Sequence, residues 1–362
     1  MVPPRDETPT APRPLTIGPV RLATPLLMAP MAGFTDWAFR QVVRRLGGCG
    51  LPVTEMVSAR GMFEMNRRDR ALPERLWGVA DEPRPLAVQI WDNDPVLLAE
   101  IADCIVRQFA PTVIDLNFGC PAPDVAGKAE SGAHLLRFPD RIGRIVERVV
   151  AACRTTPVTA KVRLGPDRRQ ITIFDVAQAV EAAGAAAMTV HGRTAADFYR
   201  GKADWELIAQ TKSVLRRIPL IGNGDLTTAD DIVAALRRYP VDGVMIGRAA
   251  LNDPWLFAQG CAALQKQPWA PPSPSDRCAG LLEHLQLRLT QYGPDRALGQ
   301  MRKVAACYTH SLPGARGFRQ ELNQLQSIDD FRTAVERFFA RRPTGDVALE
   351  RTGDDLRKTT AL

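Results

Sequence analysis

The chain has 362 residues, 45% of them hydrophobic, enough for one large core with a smaller companion and too apolar for a disordered polymer. No apolar run approaches bilayer length and the N-terminus lacks a signal-peptide core, so the expectation is a cytoplasmic protein with no membrane partner. Seven cysteines without a C-x-x-C pair or zinc spacing argue against disulfides and structural metal, while a net charge of +7 tilts towards a polyanionic partner.

Residues 1–20 are Pro-rich and aperiodic and are read as an extended N-terminal arm. From 21 to 264 short apolar runs alternate with amphipathic stretches, the pattern of repeated βα units on a parallel sheet. The runs are Leu26–Ala29, Val53–Met56, Leu86–Ile90, Val113–Leu116, Val158–Val162, Met188–Val190, Leu220–Ile221 and Val244–Ile246. Helical spacing marks Asp94–Phe109, Asp140–Ala152, Phe174–Ala183 and Thr228–Arg238, the last opened by a capping box of Thr228 with Asp231. Eight units over this length predict an α/β fold, a (β/α)8 TIM barrel. An open doubly wound sheet fits less well, because the first βα turn, PMAGFTDWAF, has no G-x-G-x-x-G fingerprint.

Residues 265–275, QKQPWAPPSPS, form a Pro-rich linker. Residues 276–342 follow as a small helical domain with three apolar stripes: Leu281 to Tyr292, Leu298 to Tyr308, and Phe331 to Phe339, the last capped by Ser327 with Asp330. Between Asp276 and Arg342 stand 11 Lys/Arg against 7 Asp/Glu, so part of the basic excess is concentrated here. Residues 343–362 read as a polar, disordered tail.

In a barrel the residues after each run face one mouth. Those residues are Pro30, Met31 and Ala32; Gln89; Asn117 and Cys120; Lys161 and Arg163; His191 and Arg193; Asn223, Gly224 and Asp225; and Gly247 and Arg248. Small residues and a cation after the last two strands suit a phosphate. Lys161 suits negative charge developing on a reduced cofactor ring, and Cys120, set between Gly119 and Pro121, is a catalytic candidate. Cys104, Cys153, Cys261 and Cys307 sit on helical stretches as ordinary apolar residues.

These motifs carry a resemblance. APMAGFTD at 29–36, DLNFGCP at 115–121, KVRLG at 161–165, HGRT at 191–194, IGNGD at 221–225, MIGRAA at 245–250 and YGPDRALGQMRK at 292–303 resemble the tRNA-dihydrouridine synthase family, in detail its bacterial B class. The resemblance implies FMN in the barrel, with Pro30, Met31, Ala32, Gln89, Lys161, His191, Asn223, Gly224, Asp225, Gly247 and Arg248 at binding positions. It implies Cys120 as proton donor and Asn117, Arg163 and His191 at the target uracil. It further implies reduction of specific tRNA uridines: hydride to C6, a proton from Cys120 to C5, and NADPH or NADH as electron donor. A stacked uracil must be extruded to reach such a pocket. The basic surface of the helical domain, with Arg296, Arg302, Lys303, Arg316 and Arg319, is the candidate tRNA backbone contact, and the protein is expected to be monomeric.

Two rivals stay open at this level. One is an FMN barrel acting on a free pyrimidine or other small molecule; the other is a tRNA-binding relative without turnover. A basic helical domain argues against the first, intact Asn117, Cys120 and Lys161 against the second. The chain departs from the family after Cys120, where PAPDVAGKAESGAHLL carries Asp124 and Glu130 on the side RNA would approach, and at Arg302–Val304, where relatives often read RKH.

Overall fold

The structure, a computed structural model, describes residues 14–68, 72–310 and 312–341. It opens on a two-stranded antiparallel hairpin, β1 (Thr16–Ile17) and β2 (Val20–Arg21). Eight parallel strands follow: β3 (Leu26–Met28), β4 (Val57–Ser58), β5 (Ala87–Trp91), β6 (Val113–Phe118), β7 (Val158–Arg163), β8 (Ala187–His191), β9 (Leu220–Asn223) and β10 (Gly243–Ile246). Their order is β3-β10-β9-β8-β7-β6-β5-β4. A parallel bridge between Leu27 and Leu51, with the Met28 N–H donating to the Leu51 carbonyl at 3.0 Å, joins the two ends. The sheet is therefore closed, as the barrel reading requires and an open sheet does not.

Around it lie α1 (Trp37–Leu46), α2 (Ala59–Arg67), α3 (Pro95–Phe109), α4 (Pro139–Cys153), α5 (Ile173–Ala182), α6 (Trp205–Thr211), α7 (Ala229–Arg238), α8 (Arg248–Asn252) and α9 (Leu256–Leu264). Thr228 and Asp231 form the expected reciprocal capping box on α7. Three more helices, α10 (Pro274–Tyr308), α11 (Ala315–Leu322) and α12 (Ile328–Ala340), pack around a second apolar cluster that includes Leu281, Leu285, Met301, Phe318, Phe331 and Phe339. Among the described residues, no helix is long and apolar enough to cross a membrane.

Several expected boundaries move. The arm reading fails for residues 14–20, since Leu15, Ile17 and Leu22 are buried in the interior cluster formed with Leu27, Val113, Ala187, Ile221 and Met245. The hairpin thus plugs the N-terminal end of the barrel; residues 1–13 and the tail at 343–362 lie outside the described residues. The second run, Val53–Met56, pairs only at an isolated bridge from Val53 to Ala87, and the strand proper is Val57–Ser58. The linker gives up Pro274 and Ser275 to α10, where Ser273 and Asp276 make a capping box and Pro274 takes a first-turn position that needs no donor. The first two helical stripes are arms of one element, broken at Gly293 (φ 74°) just before Pro294.

Register places the chemistry. Pairing sets Asn117 beside Lys161, Arg163 beside His191 and His191 beside Asn223, so residues from four strands meet at the C-terminal end.

Candidate active site

The thiol is held by a chain of buried amides. The Asn117 Oδ1 accepts from the backbone N–H groups of Gly119 (3.0 Å) and Cys120 (2.9 Å), turning the strand end around its own side chain. Its Nδ2 donates to the Gln89 Oε1 at 2.8 Å, and the Gln89 Nε2 donates to the Asp115 Oδ2 at 2.7 Å. The Thr159 hydroxyl donates to the other Asp115 oxygen at 2.6 Å. Burial pushes Asp115 up to about 6 against the pull of its two hydrogen bonds and of Lys161. The far side of the turn is equally tight: a Cβ on Gly132 (φ 54°) would lie 2.7 Å from the Cys120 carbonyl, so that position admits only glycine. Burial also raises the Cys120 thiol above its ordinary value, while its backbone bond to Ala122 and the charges of Arg163 and Lys161 pull the other way. The group is a protonated thiol at neutral pH.

Cations crowd the neighbouring strand ends. Lys161 is lowered to about 8, first by burial and then by Arg163, and its Nζ donates to the Asn223 Oδ1 at 3.3 Å. The Asn223 Nδ2 in turn donates to the Met245 carbonyl at 2.7 Å, which fixes the orientation of the amide. Arg163, lowered to about 10 chiefly by burial, donates to the carbonyls of Gly119 (2.9 Å), Thr194 (2.9 Å) and Phe198 (2.7 Å). His191 is pushed well below its usual range by burial and by Arg163, Lys161, Arg193 and Arg248. Its Nε2 lies 3.3 Å from the Arg193 Nη1, which can only donate; the neutral ring therefore carries its proton on Nδ1.

The residues after the last strands form one cradle. A Cβ on Gly224 (φ 132°) would sit 2.5 Å from the Ala203 Cβ, and Asp225 adopts a left-handed φ of 52°. The Asp225 carboxylate takes two bonds from the Arg193 Nη2 (2.8 and 2.9 Å) and one from the Ala203 N–H (2.7 Å). Arg248 stands over the Tyr199 ring at 4.5 Å and reaches Asp225 only at 3.9 Å. Gly247 leaves its Cβ space within 3.7 Å of the Met31 sulfur, which ties the turn after β3 to the one after β10; Pro30 and Met31 are half-buried and Ala32 is exposed.

Every strand-end candidate therefore lies at one mouth. The basic residues of the helical unit divide differently. Arg302 is drawn inward to the Leu325 carbonyl (2.7 Å) and Arg319 is half-buried, whereas Lys303 and Arg316 are exposed and Arg296, also exposed, pairs with Glu74 at 2.6 Å. Strand-end reading names Arg193 without giving it a role, and gives no hint of a buried network between the barrel and α10. There Asp36 caps α1 through Phe39 N–H (3.0 Å) and also meets the Arg288 guanidinium (3.0 Å) and Tyr292 hydroxyl (3.1 Å). Arg288 continues to His284 (3.2 Å) and Gln300 (3.1 Å). The only advance sign of this is an aspartate just before a helix.

Closed parallel strands with a thiol, a lysine and a neutral histidine converging at their C-terminal ends define a TIM-barrel protein with an enzyme-like site at its mouth. Structural likeness agrees on the fold: a morphinone reductase variant complexed with tetrahydroNAD aligns at TM-score 0.51 and 14% identity, covering 74% of this chain and 94% of that one. A 6-hydroxypseudooxynicotine amine oxidase from Pseudomonas geniculata N1 aligns at TM-score 0.52 and 16% identity, over 71% of this chain and 50% of that one. The chain belongs to the dihydrouridine synthase (Dus) family, whose model matches residues 27–342. It is 40% identical to tRNA-dihydrouridine synthase B of Pseudomonas aeruginosa, over 90% of this chain and 96% of that protein. It is 37% identical to a probable tRNA-dihydrouridine synthase of Mycobacterium tuberculosis, over 94% and 88%.

Proposed function

We propose that this protein reduces the C5–C6 double bond of uridine in tRNA, with FMN as resident cofactor and NADPH or NADH as electron source. The observation that carries the reading is the Cys120 turn: a thiol kept protonated by burial, fixed by Asn117, beside strand ends rich in cations and hydrogen-bond donors.

The donor set fits a flavin phosphate and ring. Among the described residues Lys161 has no carboxylate within 4.0 Å, and Arg248 has only the long contact to Asp225, so positive charge is left for an anionic ligand. Gly224, Asp225 and Gly247 would hold the phosphate through backbone N–H groups, with Arg248 supplying positive charge; Pro30, Met31, Ala32, Gln89, Lys161, His191 and Asn223 would line the ring. When bound, FMN supplies hydride for C6 of the uracil.

The protein's own residues handle the proton and the base. Cys120 gives its proton to C5, and the thiolate left behind is stabilised by the same Arg163 and Lys161 charges that pull the thiol's pKa down. His191, neutral with Nδ1–H free of the Arg193 contact, donates to a uracil carbonyl, and Arg163 offers its charge to the same edge. Asn117 spends its oxygen on the Cys120 turn and an amide hydrogen on Gln89, so it governs the uracil mainly through where it sets the thiol. The helical unit carries the RNA, with Lys303 and Arg316 exposed to phosphates, Arg296 exposed but paired with Glu74, and Arg302 turned inward.

Purified protein supplied with FMN, NADPH and unmodified tRNA should give a two-hydrogen mass gain at discrete uridines, mapped by nuclease digestion and mass spectrometry. No gain in tRNA, with turnover of free dihydroorotate or pyrimidine instead, would replace this reading with the small-molecule rival.

A further inference from the structure

The loop after β8 contains two of the few large apolar side chains exposed among the described residues: Phe198, 43% exposed, and Tyr199, 44% exposed. Tyr199 is engaged, lying under Arg248 at 4.5 Å and beside Arg163 at 5.6 Å. Phe198 is different. Its backbone holds a left-handed φ of 50°, a conformation that bulky residues adopt only when their surroundings enforce it.

The enforcement here comes from the site itself. Arg163 grips the Thr194 and Phe198 carbonyls at 2.9 and 2.7 Å, and Arg193 grips those of Arg200 and Gly201 at 3.1 and 2.6 Å. Asp197 accepts from the Thr194 N–H (3.1 Å) and hydroxyl (2.9 Å) and pairs with Arg168 at 3.0 Å. The Ala195 and Ala196 N–H groups close onto the Gly165 and Pro166 carbonyls, each at 2.9 Å. A loop this heavily tied is not exposing an aromatic ring for want of structure. It presents the ring in water at the rim of the mouth, already ordered, so little entropy is lost when something covers it.

We propose that Phe198 is a stacking platform for a nucleobase of the RNA next to the target nucleotide. The inference rests on the tRNA reading above and extends it to a residue outside the thiol and cation sets. Charge selects this occupant over an apolar protein surface: Arg200 and Lys202 of the same loop are exposed, as is Arg168, which pairs with Asp197, and an aromatic ring on a basic loop suits stacked bases threaded along phosphates. Extruding one nucleotide breaks its stacking with its neighbours, and a rigid ring on the rim returns part of that loss.

The test uses full-length protein, unmodified tRNA and two variants. Phe198→Asn keeps a residue that tolerates left-handed φ, and with it the carbonyl bond to Arg163, but removes the ring; Phe198→Trp keeps a stacking face. Equilibrium tRNA binding, followed by fluorescence anisotropy, should weaken about tenfold for Phe198→Asn and stay near wild type for Phe198→Trp. Thermal midpoint and bound flavin should be unchanged in both. Wild-type affinity in a folded Phe198→Asn variant overturns the proposal, as does a change in self-association by light scattering with tRNA affinity intact, which would assign the ring to a second copy of the chain. Wild-type protein that neither binds nor modifies tRNA would instead sink the functional reading on which the proposal stands.

Discussion

Buried charge is used in two opposite ways in this molecule. At the barrel mouth Lys161, Arg163 and Arg248 are all lowered by desolvation, and Lys161 meets an amide where an acid would relieve it. At the seam with the helical unit Arg288 is as deeply buried, with its side chain 2% exposed, yet it faces the 3% exposed Asp36 and bonds His284 and Gln300. The seam is a closed electrostatic account within the fold, whereas the mouth is left open for a ligand. A mutation at the mouth should therefore act on chemistry and binding, and one at the seam on stability.

The largest separation should come from Cys120→Ala. Loss of a positioned general acid is expected to lower the rate of dihydrouridine formation by about 10²–10⁴-fold, with bound flavin, tRNA affinity and thermal midpoint near wild type. Wild-type single-turnover rates in that variant would remove the thiol from the mechanism. Next, Arg288→Gln strands the Asp36 carboxylate and should cost about 3–5 kcal/mol in urea unfolding, with loss of the paired charge outweighing any effect on the chemical step of the folded fraction. An unaltered unfolding midpoint would erase the contrast between the two regions.

The smallest effect sharpens the comparison most. Lys161 is lowered from 10.5 to about 8, so between those values the unfolded chain holds a proton that the flavin-free folded chain does not. Stability of the flavin-free protein should accordingly rise with pH from about 8 to 10.5, and the charge is a liability below that window. Lys161→Met should stabilise the flavin-free protein at pH 7 by about 1–3 kcal/mol while weakening its hold on flavin, and it should flatten the rise with pH. In the wild type, flavin retention should fall as pH passes 8 and the ammonium is lost. A Lys161→Met protein less stable than wild type would mean that the mouth, like the seam, is balanced without a ligand.

How far these arrangements were legible in the sequence depends on their range. Runs such as Val113–Leu116 and Val158–Val162 announce buried parallel strands because β-branched residues recur in short runs bounded by turn residues, and barrel closure then brings their ends together. That logic reaches Cys120, Lys161 and His191 without any knowledge of side-chain direction. It fails at Asn117, whose amide turns back onto its own strand end, and at Arg302, which turns inward to Leu325, because composition does not say where a side chain points. The hairpin at Thr16–Arg21 escapes for another reason: two-residue strands are too short to carry a period. Asp36 and Arg288 are far apart in the chain, and each alone looks like an ordinary cap or an ordinary helix-surface cation.

The Asp36 contact also sets terms for recombination among relatives. One carboxylate closes the start of α1 and receives Arg288 and Tyr292, while Gln291 accepts from the Ala38 N–H at 3.2 Å. A helical unit transplanted at the 265–272 stretch from a relative brings its own residues at 288, 291 and 292 to a socket shaped by another ancestor's helix start. Chimeras that exchange the unit alone should fail by misassembly unless those three positions travel with a matching residue 36. The natural breakpoint for exchanging the helical unit is thus defined by which side chains meet across the seam, and the proline-rich connection is merely where the chain is easiest to cut.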